Sequence, residues 1–374
     1  MTGEAADLER LRLLFRLFVA TQCRGRSPVY EALGQAIADD DATLRLLLAA
    51  PVEQRRPSLL LAAVNLLLAA EPGAALAAYY PAHGGRRPAD ARLWPAFTAF
   101  RAAHRDQLTA LLRERSTQTN EIRRCVALRL GLAQVARRWP GPVALAELGA
   151  SAGLNLLADH YRYRLNDQDF DERHSSPVLV ASSLRHGVPA ENLLGDRPRI
   201  TVRLGVDQQP VDLTDPAARA WLEAFVWPEQ TADLATLRAA IELYLAVPGP
   251  AVVRGDATTD TARLIGALPG DEPIVVFTAS LLSYLEPAAR AAFAGQLGQV
   301  ARRRRLAWVF AEAPALLASA GIRSPWLARP LPPRNSEYVI GASLRDPGGG
   351  QQDHLLALAD PYLRWLAPLP AAPR

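Results

Sequence analysis

The segment Glu147 to Leu156, reading Glu-Leu-Gly-Ala-Ser-Ala-Gly-Leu-Asn-Leu, constrains this chain more than any other stretch. It closes the apolar run Val143 to Leu148 with an acid, turns on Gly149 and Gly153, and enters the amphipathic stretch Leu154 to Arg164 at once. Glycine removes the Cβ that would obstruct so tight a turn. A turn of this kind exposes backbone amides and a helix N-terminus to whatever binds there. The pattern therefore predicts a strand–glycine-turn–helix binding junction inside an α/β domain.

The rest of the second half agrees with that reading. Strand-length apolar runs recur at Ile200 to Val206, Ala251 to Arg254, Ile274 to Thr278 and Leu306 to Ala311. Helical patterns lie between them at Ala217 to Leu245, Thr261 to Leu268 and Pro287 to Arg304. Strand alternating with helix predicts a mostly parallel sheet wrapped by helices. Glu337 to Arg345 and His354 to Ala359, joined by Asp346-Pro-Gly-Gly-Gly-Gln-Gln-Asp353, read as a closing antiparallel hairpin.

Residues 1 to about 140 read as helical throughout. Leu8, Leu11, Leu14, Phe15 and Phe18 recur at helical spacing, as do Leu59, Ala62, Ala63, Leu66 and Leu67. Phe97 to Arg115 and Asn120 to Arg138 are expected as the last two long helices. At 374 residues the chain exceeds most single cores. Two domains are expected: helical over 1–140, and α/β over 141–374 with an insertion at about 165–199, read as a flap over the site.

Several chemistries are excluded or disfavoured. All 42 basic side chains are arginine, so no lysine serves a phosphate loop of the usual kind or a Schiff base. The two cysteines, Cys23 and Cys125, supply no disulfide framework and no cysteine metal site. His104, His160, His174 and His186 show no ligand spacing, so no metal is expected. Arg302 to Arg305 reads as the solvated last turn of a helix rather than a nucleic-acid patch, and the net charge is only +4. The early acids do not suit a signal peptide, and no run reaches the roughly 18 apolar residues of a membrane span. A cytoplasmic protein without membrane or nucleic-acid partners is expected.

Two further acids follow strands. Asp207 ends the run after Ile200, where a carboxylate can accept both ribose hydroxyls. Asp256, with the amide of Ala257, follows Ala251 to Arg254, where the pair can meet an adenine edge. With Glu147 suited to an amino-acid ammonium, the three acids outline a pocket for S-adenosylmethionine at a switch-point crevice. Turn and helix caps are the alternative reading for Asp207 and Asp256.

The same stretch also spells a nucleophile elbow, Gly149-Ala-Ser151-Ala-Gly153, with His83-Gly84-Gly85 as an oxyanion loop and a triad in the order Ser151, Asp256 or Asp260, His354. Too few strands precede Ser151 for that arrangement, and His354 opens a strand rather than a loop.

These segments, with Ser27-Pro28-Val-Tyr30, Thr117-Gln-Thr-Asn-Glu121, Gly205-Val-Asp207-Gln-Gln-Pro210, Trp227-Pro-Glu-Gln230 and Ser280 to Tyr284, carry a resemblance along nearly the whole chain. The chain resembles an uncharacterised bacterial family whose fold is related to class I S-adenosylmethionine-dependent methyltransferases. The resemblance implies a Rossmann-like sheet and cofactor roles for Glu147, Gly149, Gly153, Asp207 and Asp256. Ser151 stands where the methyltransferase pattern has its middle glycine, beside the bound ligand. On the acceptor side, Gln118, Asn120 and Glu121 form a polar cluster that reads equally as a helix cap. Ser280 and Tyr284 follow the fourth strand, and Glu312 ends the fifth as either a base or a capping carboxylate. The expected activity is methyl transfer to a small molecule. The alternatives are a binding protein that keeps the adenosyl pocket, and the serine hydrolase.

Overall fold

A helix with no polar face must be surrounded by other helices, and Pro57–Ala70 is such a helix. Every side chain from Leu59 to Val64 is buried. The computed structural model describes residues 3–170, 175–185, 194–248, 250–329 and 337–369. The chain divides into two compact units: Met1–Thr119 with Leu213–Arg238, and Asn120–Asp212 with Ala239–Arg374.

The first unit is helical. Its helices are α1 (Gly3–Phe18), α2 (Pro28–Ala38), α3 (Asp41–Leu47), α4 (Pro57–Ala70), α5 (Leu93–Ala103) and α6 (Arg105–Glu114), and a returning helix spans Pro216–Glu223. Caps start α2 and α3: Ser27 accepts from the Tyr30 amide at 3.0 Å and Asp40 from the Thr43 amide at 2.9 Å. Phe97 to Arg115 is two helices rather than one. The break falls at His104, whose ring lies 4.2 Å from Phe100 and which bonds Gln107 and pairs with Glu71. Buried Asn65 donates to the carbonyls of Ala224 at 2.9 Å and Val226 at 3.1 Å, fixing the returning segment. Two of the recurring motifs meet here. Glu229 accepts from the Ser27 hydroxyl at 2.6 Å and the Val29 amide at 3.0 Å, while Arg26 lies 3.9 Å over the Trp227 ring.

The second unit is built on one sheet of eleven strands. They are β1 (Val143–Leu148), β2 (Arg162–Leu165), β3 (Gln168–Phe170), β4 (Leu179–Leu184), β5 (Ile200–Asp207), β6 (Ala251–Arg254), β7 (Ile274–Ala279), β8 (Leu306–Glu312), β9 (Tyr338–Arg345), β10 (Gln351–Ala359) and β11 (Trp365–Pro368). The order is β3-β2-β4-β11-β10-β9-β8-β7-β1-β5-β6. The five strands β6, β5, β1, β7 and β8 run parallel, and β9 and β10 follow as an antiparallel hairpin. The fold is thus mixed α/β, with a large, mostly parallel sheet and a C-terminal antiparallel hairpin. Within the parallel core the strand order reverses at β1, flanked by β5 and β7, and a switch of this kind opens a crevice at the carboxyl ends. Helix α7 (Arg124–Arg138) covers β8 closely. A Cβ on Gly131 would sit 2.3 Å from Val309, so only glycine lets the helix approach.

Two expectations about the chain after β1 also need correction. The stretch Leu154 to Arg164 is not one helix. A short 3-10 segment, Leu154–His160, kinks at Leu157 and is followed by strand β2. Side chains take the carbonyls that a longer helix would use. Tyr161 donates to Leu154 O at 2.6 Å, Arg203 to Leu156 O at 2.7 Å, and Tyr163 to Ala158 O at 2.6 Å. The described part of the insertion is likewise no flap. It supplies β3 and β4, which extend the sheet beyond β11, at the opposite end from β6. The segments 171–174 and 186–193, including His174 and His186, lie outside the described residues.

Arg302, Arg303 and Arg305 are exposed, but Arg304 is not a solvated charge. It donates to the carbonyls of Leu268 at 2.7 Å and Glu272 at 2.8 Å, at the amino end of the strands. Among the described residues no helix is long and apolar enough to cross a membrane.

Candidate functional site

Parallel strands deliver their last residues to one edge of a sheet. Here that edge carries, in spatial order, Glu312 ending β8, Ser280 after β7, Glu147 near the end of β1, Asp207 ending β5 and Asp256 after β6. All belong to the second unit.

The turn after β1 is held by its neighbours. The Gly149 amide donates to Val206 O at 2.9 Å and the Gly153 amide to Ala150 O at 2.8 Å. Gly149 and Gly153 both have φ of +74°. A Cβ on Gly153 would also meet Val252 at 2.6 Å, so glycine is required there twice over. Ser151 adopts φ of 51°, a left-handed conformation that costs a serine about 1 kcal/mol or more. Asp207 braces this conformation, accepting from the Ser151 amide at 2.8 Å and from the Gln209 amide at 2.8 Å.

Glu147 is the most perturbed acid of the edge. It is 3% exposed, and Asn155 donates to its Oε1 at 2.7 Å. The same amide is oriented from behind, because the Cys125 thiol approaches Asn155 Oδ1 at 3.2 Å. Burial raises the thiol pKa well above its usual value, keeping Cys125 a donor. Among the described residues Glu147 Oε2 has no hydrogen-bond partner. Burial pushes the Glu147 carboxyl up to about 8; the Asn155 bond and the Arg124 charge oppose that rise, while Asp207 adds to it.

Other candidates are more fully occupied. Both oxygens of buried Glu312 cap the 3-10 turn Leu281–Tyr284, accepting from the amides of Leu281 at 3.0 Å and Leu282 at 3.1 Å. Burial nonetheless raises its carboxyl to about 7, against the pull of Thr278, those amides and Arg124. Asp256 accepts from the amide of Thr258 at 2.6 Å, its hydroxyl at 2.5 Å, and Gln208 Nε2 at 2.7 Å. Burial alone would raise Asp256, but these bonds win and its pKa is lowered. Ala257 is buried beside it. Ser280, at φ of 64°, accepts from Arg124 Nη2 at 3.1 Å and the Tyr338 hydroxyl at 2.9 Å. Tyr284 is 48% exposed, on the surface rather than packed.

The acceptor-side cluster divides between units. Gln118 lies in the helical unit, and Asn120 and Glu121 in the sheet unit. Glu121 accepts from the amide and guanidinium of Arg123 at 3.2 and 3.3 Å, and Asn120 Oδ1 is buried without a partner.

The triad residues do not converge. Ser151 Oγ is buried and has no hydrogen-bond partner among the described residues. His354 lies on β10, four strand spacings from β1, or roughly 19 Å at about 4.8 Å each. His83 bonds Asn65 at 2.7 Å within the helical unit. Among the described residues no group of three or more His, Cys, Asp or Glu side chains is placed to hold a metal ion.

Three residues that shape this edge escaped sequence reasoning: Arg124, Asn155 and Cys125. Asn155 left a signal, being the one polar side chain in Leu154-Asn-Leu-Leu157. Arg124 left another, a cation in the first turn of a helix, where the macrodipole disfavours it.

Compared with known families, the chain is matched over residues 12–367 by the model of a family described as "Uncharacterized protein conserved in bacteria (DUF2332)". No curated protein matches it.

Proposed function

The chain belongs to that family conserved in bacteria, and from the geometry at the carboxyl end of β1 we propose that it binds S-adenosylmethionine on a Rossmann-like, class I methyltransferase sheet and methylates a small molecule. One observation carries the reading. Glu147 is buried at the point where strand order reverses, and one of its oxygens lacks any partner. A buried acid with an unsatisfied oxygen is costly, and a ligand ammonium supplies both a positive charge and a donor to it.

The neighbouring residues suit the remainder of such a ligand. Each carboxylate oxygen of Asp207 keeps a lone pair after bracing the turn, enough to accept ribose hydroxyls. Asp256 and Ala257 stand one strand further, on the side expected for an adenine edge. When bound, the sulfonium supplies an activated methyl group. The chain's own residues then position the reactants and exclude water. A base is needed only for an acceptor protonated at neutral pH.

A second reading, adenosyl binding without transfer, draws on the same edge. Glu312 spends both oxygens on backbone amides, and Tyr284 faces solvent. Calorimetric titration of the full chain with S-adenosylmethionine and S-adenosylhomocysteine tests both readings. Binding by the wild type, weakened at least tenfold in Glu147→Gln, supports the pocket. No binding by the wild type sinks both readings. Transfer of a labelled methyl group across a panel of small acceptors then separates enzyme from binder.

A further inference from the structure

Arg124 carries a charge that no direct ion pair answers among the described residues. It opens α7, whose first turn contains no acid, and the positive end of the helix dipole disfavours a cation there. The adjacent Arg123 has Glu121. Arg124 has the neutral Ser280 hydroxyl, which also accepts from Tyr338. Its Nε is buried without a partner among the described residues. The guanidinium acts on Glu147 and Glu312 through space, yet among the described residues no ion pair joins it to either. Glu147 is held by Asn155 and Glu312 by the turn it caps.

The result is two unanswered polar groups above the gap between β1 and β7. Among the described residues Glu147 Oε2 finds no hydrogen-bond donor and Arg124 Nε finds no acceptor. One small group satisfies both at once: an α-amino acid, whose ammonium and carboxylate branch from a single carbon. A guanidinium fork matches a carboxylate geometrically.

We propose that Arg124 binds the carboxylate of the ligand's amino-acid end while Glu147 binds its ammonium, so that the site selects adenosyl ligands bearing a free amino-acid group. The inference rests on the adenosyl reading above and names its polar anchor. It makes Arg124 a specificity-determining residue.

The test compares S-adenosylhomocysteine with 5′-methylthioadenosine, which has the nucleoside and sulfur but no amino-acid group. Calorimetry on the full-length wild type should give a preference for S-adenosylhomocysteine of about 100-fold or more, the size expected of charge-assisted bonds. Arg124→Ala should lose about 100-fold toward S-adenosylhomocysteine and little toward 5′-methylthioadenosine, so the second ligand also reports that the variant is folded. Arg124→Lys, which keeps the charge without the fork, should recover part of the loss. Equal affinity of the wild type for the two compounds overturns this inference and leaves the adenosyl pocket standing, as does an undiminished preference in Arg124→Ala. A wild type that binds neither overturns both. Should Arg124→Ala bind neither, the lysine variant decides. Recovery of 5′-methylthioadenosine alone supports the inference, and equal recovery of both refutes it.

Discussion

Replacing Glu147 with glutamine removes a buried titration while nearly preserving shape. In the folded protein burial raises this carboxyl from its usual 4.5 to about 8. At about 1.4 kcal/mol per pH unit, that difference corresponds to about 5 kcal/mol of pH-dependent stability, a ceiling because water entry relaxes buried charges. The sign follows from proton counting. Between the two pKa values the folded state holds a proton that the unfolded chain has released, so stability falls as pH rises. The contribution is fully present below about pH 4.5 and is lost as pH climbs through about 8. Urea unfolding of wild type and Glu147→Gln at pH 5, 7 and 9, followed by a probe in the sheet unit, isolates this term. Taking the difference between the proteins cancels the parallel titration of Glu312. The wild type should lose several kcal/mol relative to the variant between pH 5 and pH 9. Curves that stay parallel over that range would refute the burial argument.

Asn155→Ala strips Glu147 Oε1 of its donor and Cys125 of its nearer acceptor, leaving the thiol only the backbone carbonyl at 4.0 Å, at a cost of about 1–3 kcal/mol. Because that bond lowers the Glu147 pKa, the same unfolding series should show the pH-dependent loss moving above the wild-type value of about 8. Gly153→Ala combines a positive φ with a Cβ 2.6 Å from Val252; a loss of about 2 kcal/mol or more in thermal unfolding is expected, and none would mean that the turn relaxes freely. Glu229→Ala removes the acceptor that joins Ser27 and Val29 to a segment two hundred residues away. It should cost the helical unit about 2–3 kcal/mol, with an earlier denaturant midpoint in the fluorescence of Trp227.

Much of the architecture was legible locally. The strand-length runs of the parallel core and the hairpin lie within a residue or two of the observed strands at most ends. The exception is β10, which begins at Gln351 rather than His354. Period and turn chemistry are properties of a few adjacent residues, so they can be read without the fold. The helix expected over Leu154 to Arg164 failed for a non-local reason. Arg203, from β5, takes a carbonyl there, and the two tyrosines take others, so that helical bonding gives way to a strand. The insertion could not be placed because its partner, β11, lies some 180 residues downstream.

By itself the sequence determined that a strand, an acid and a glycine turn follow one another between 143 and 153, since each is a matter of residue type and spacing. Only the tertiary structure decided what each acid does. Glu147, Asp207 and Glu312 are all acids at or near strand ends, yet Asp207 and Glu312 accept from backbone amides, while Glu147 is buried with one oxygen that finds no donor among the described residues. That distinction arises because strand order brings β5, β1, β7 and β8 side by side, and the energy of a buried charge depends on neighbours that sequence separation conceals.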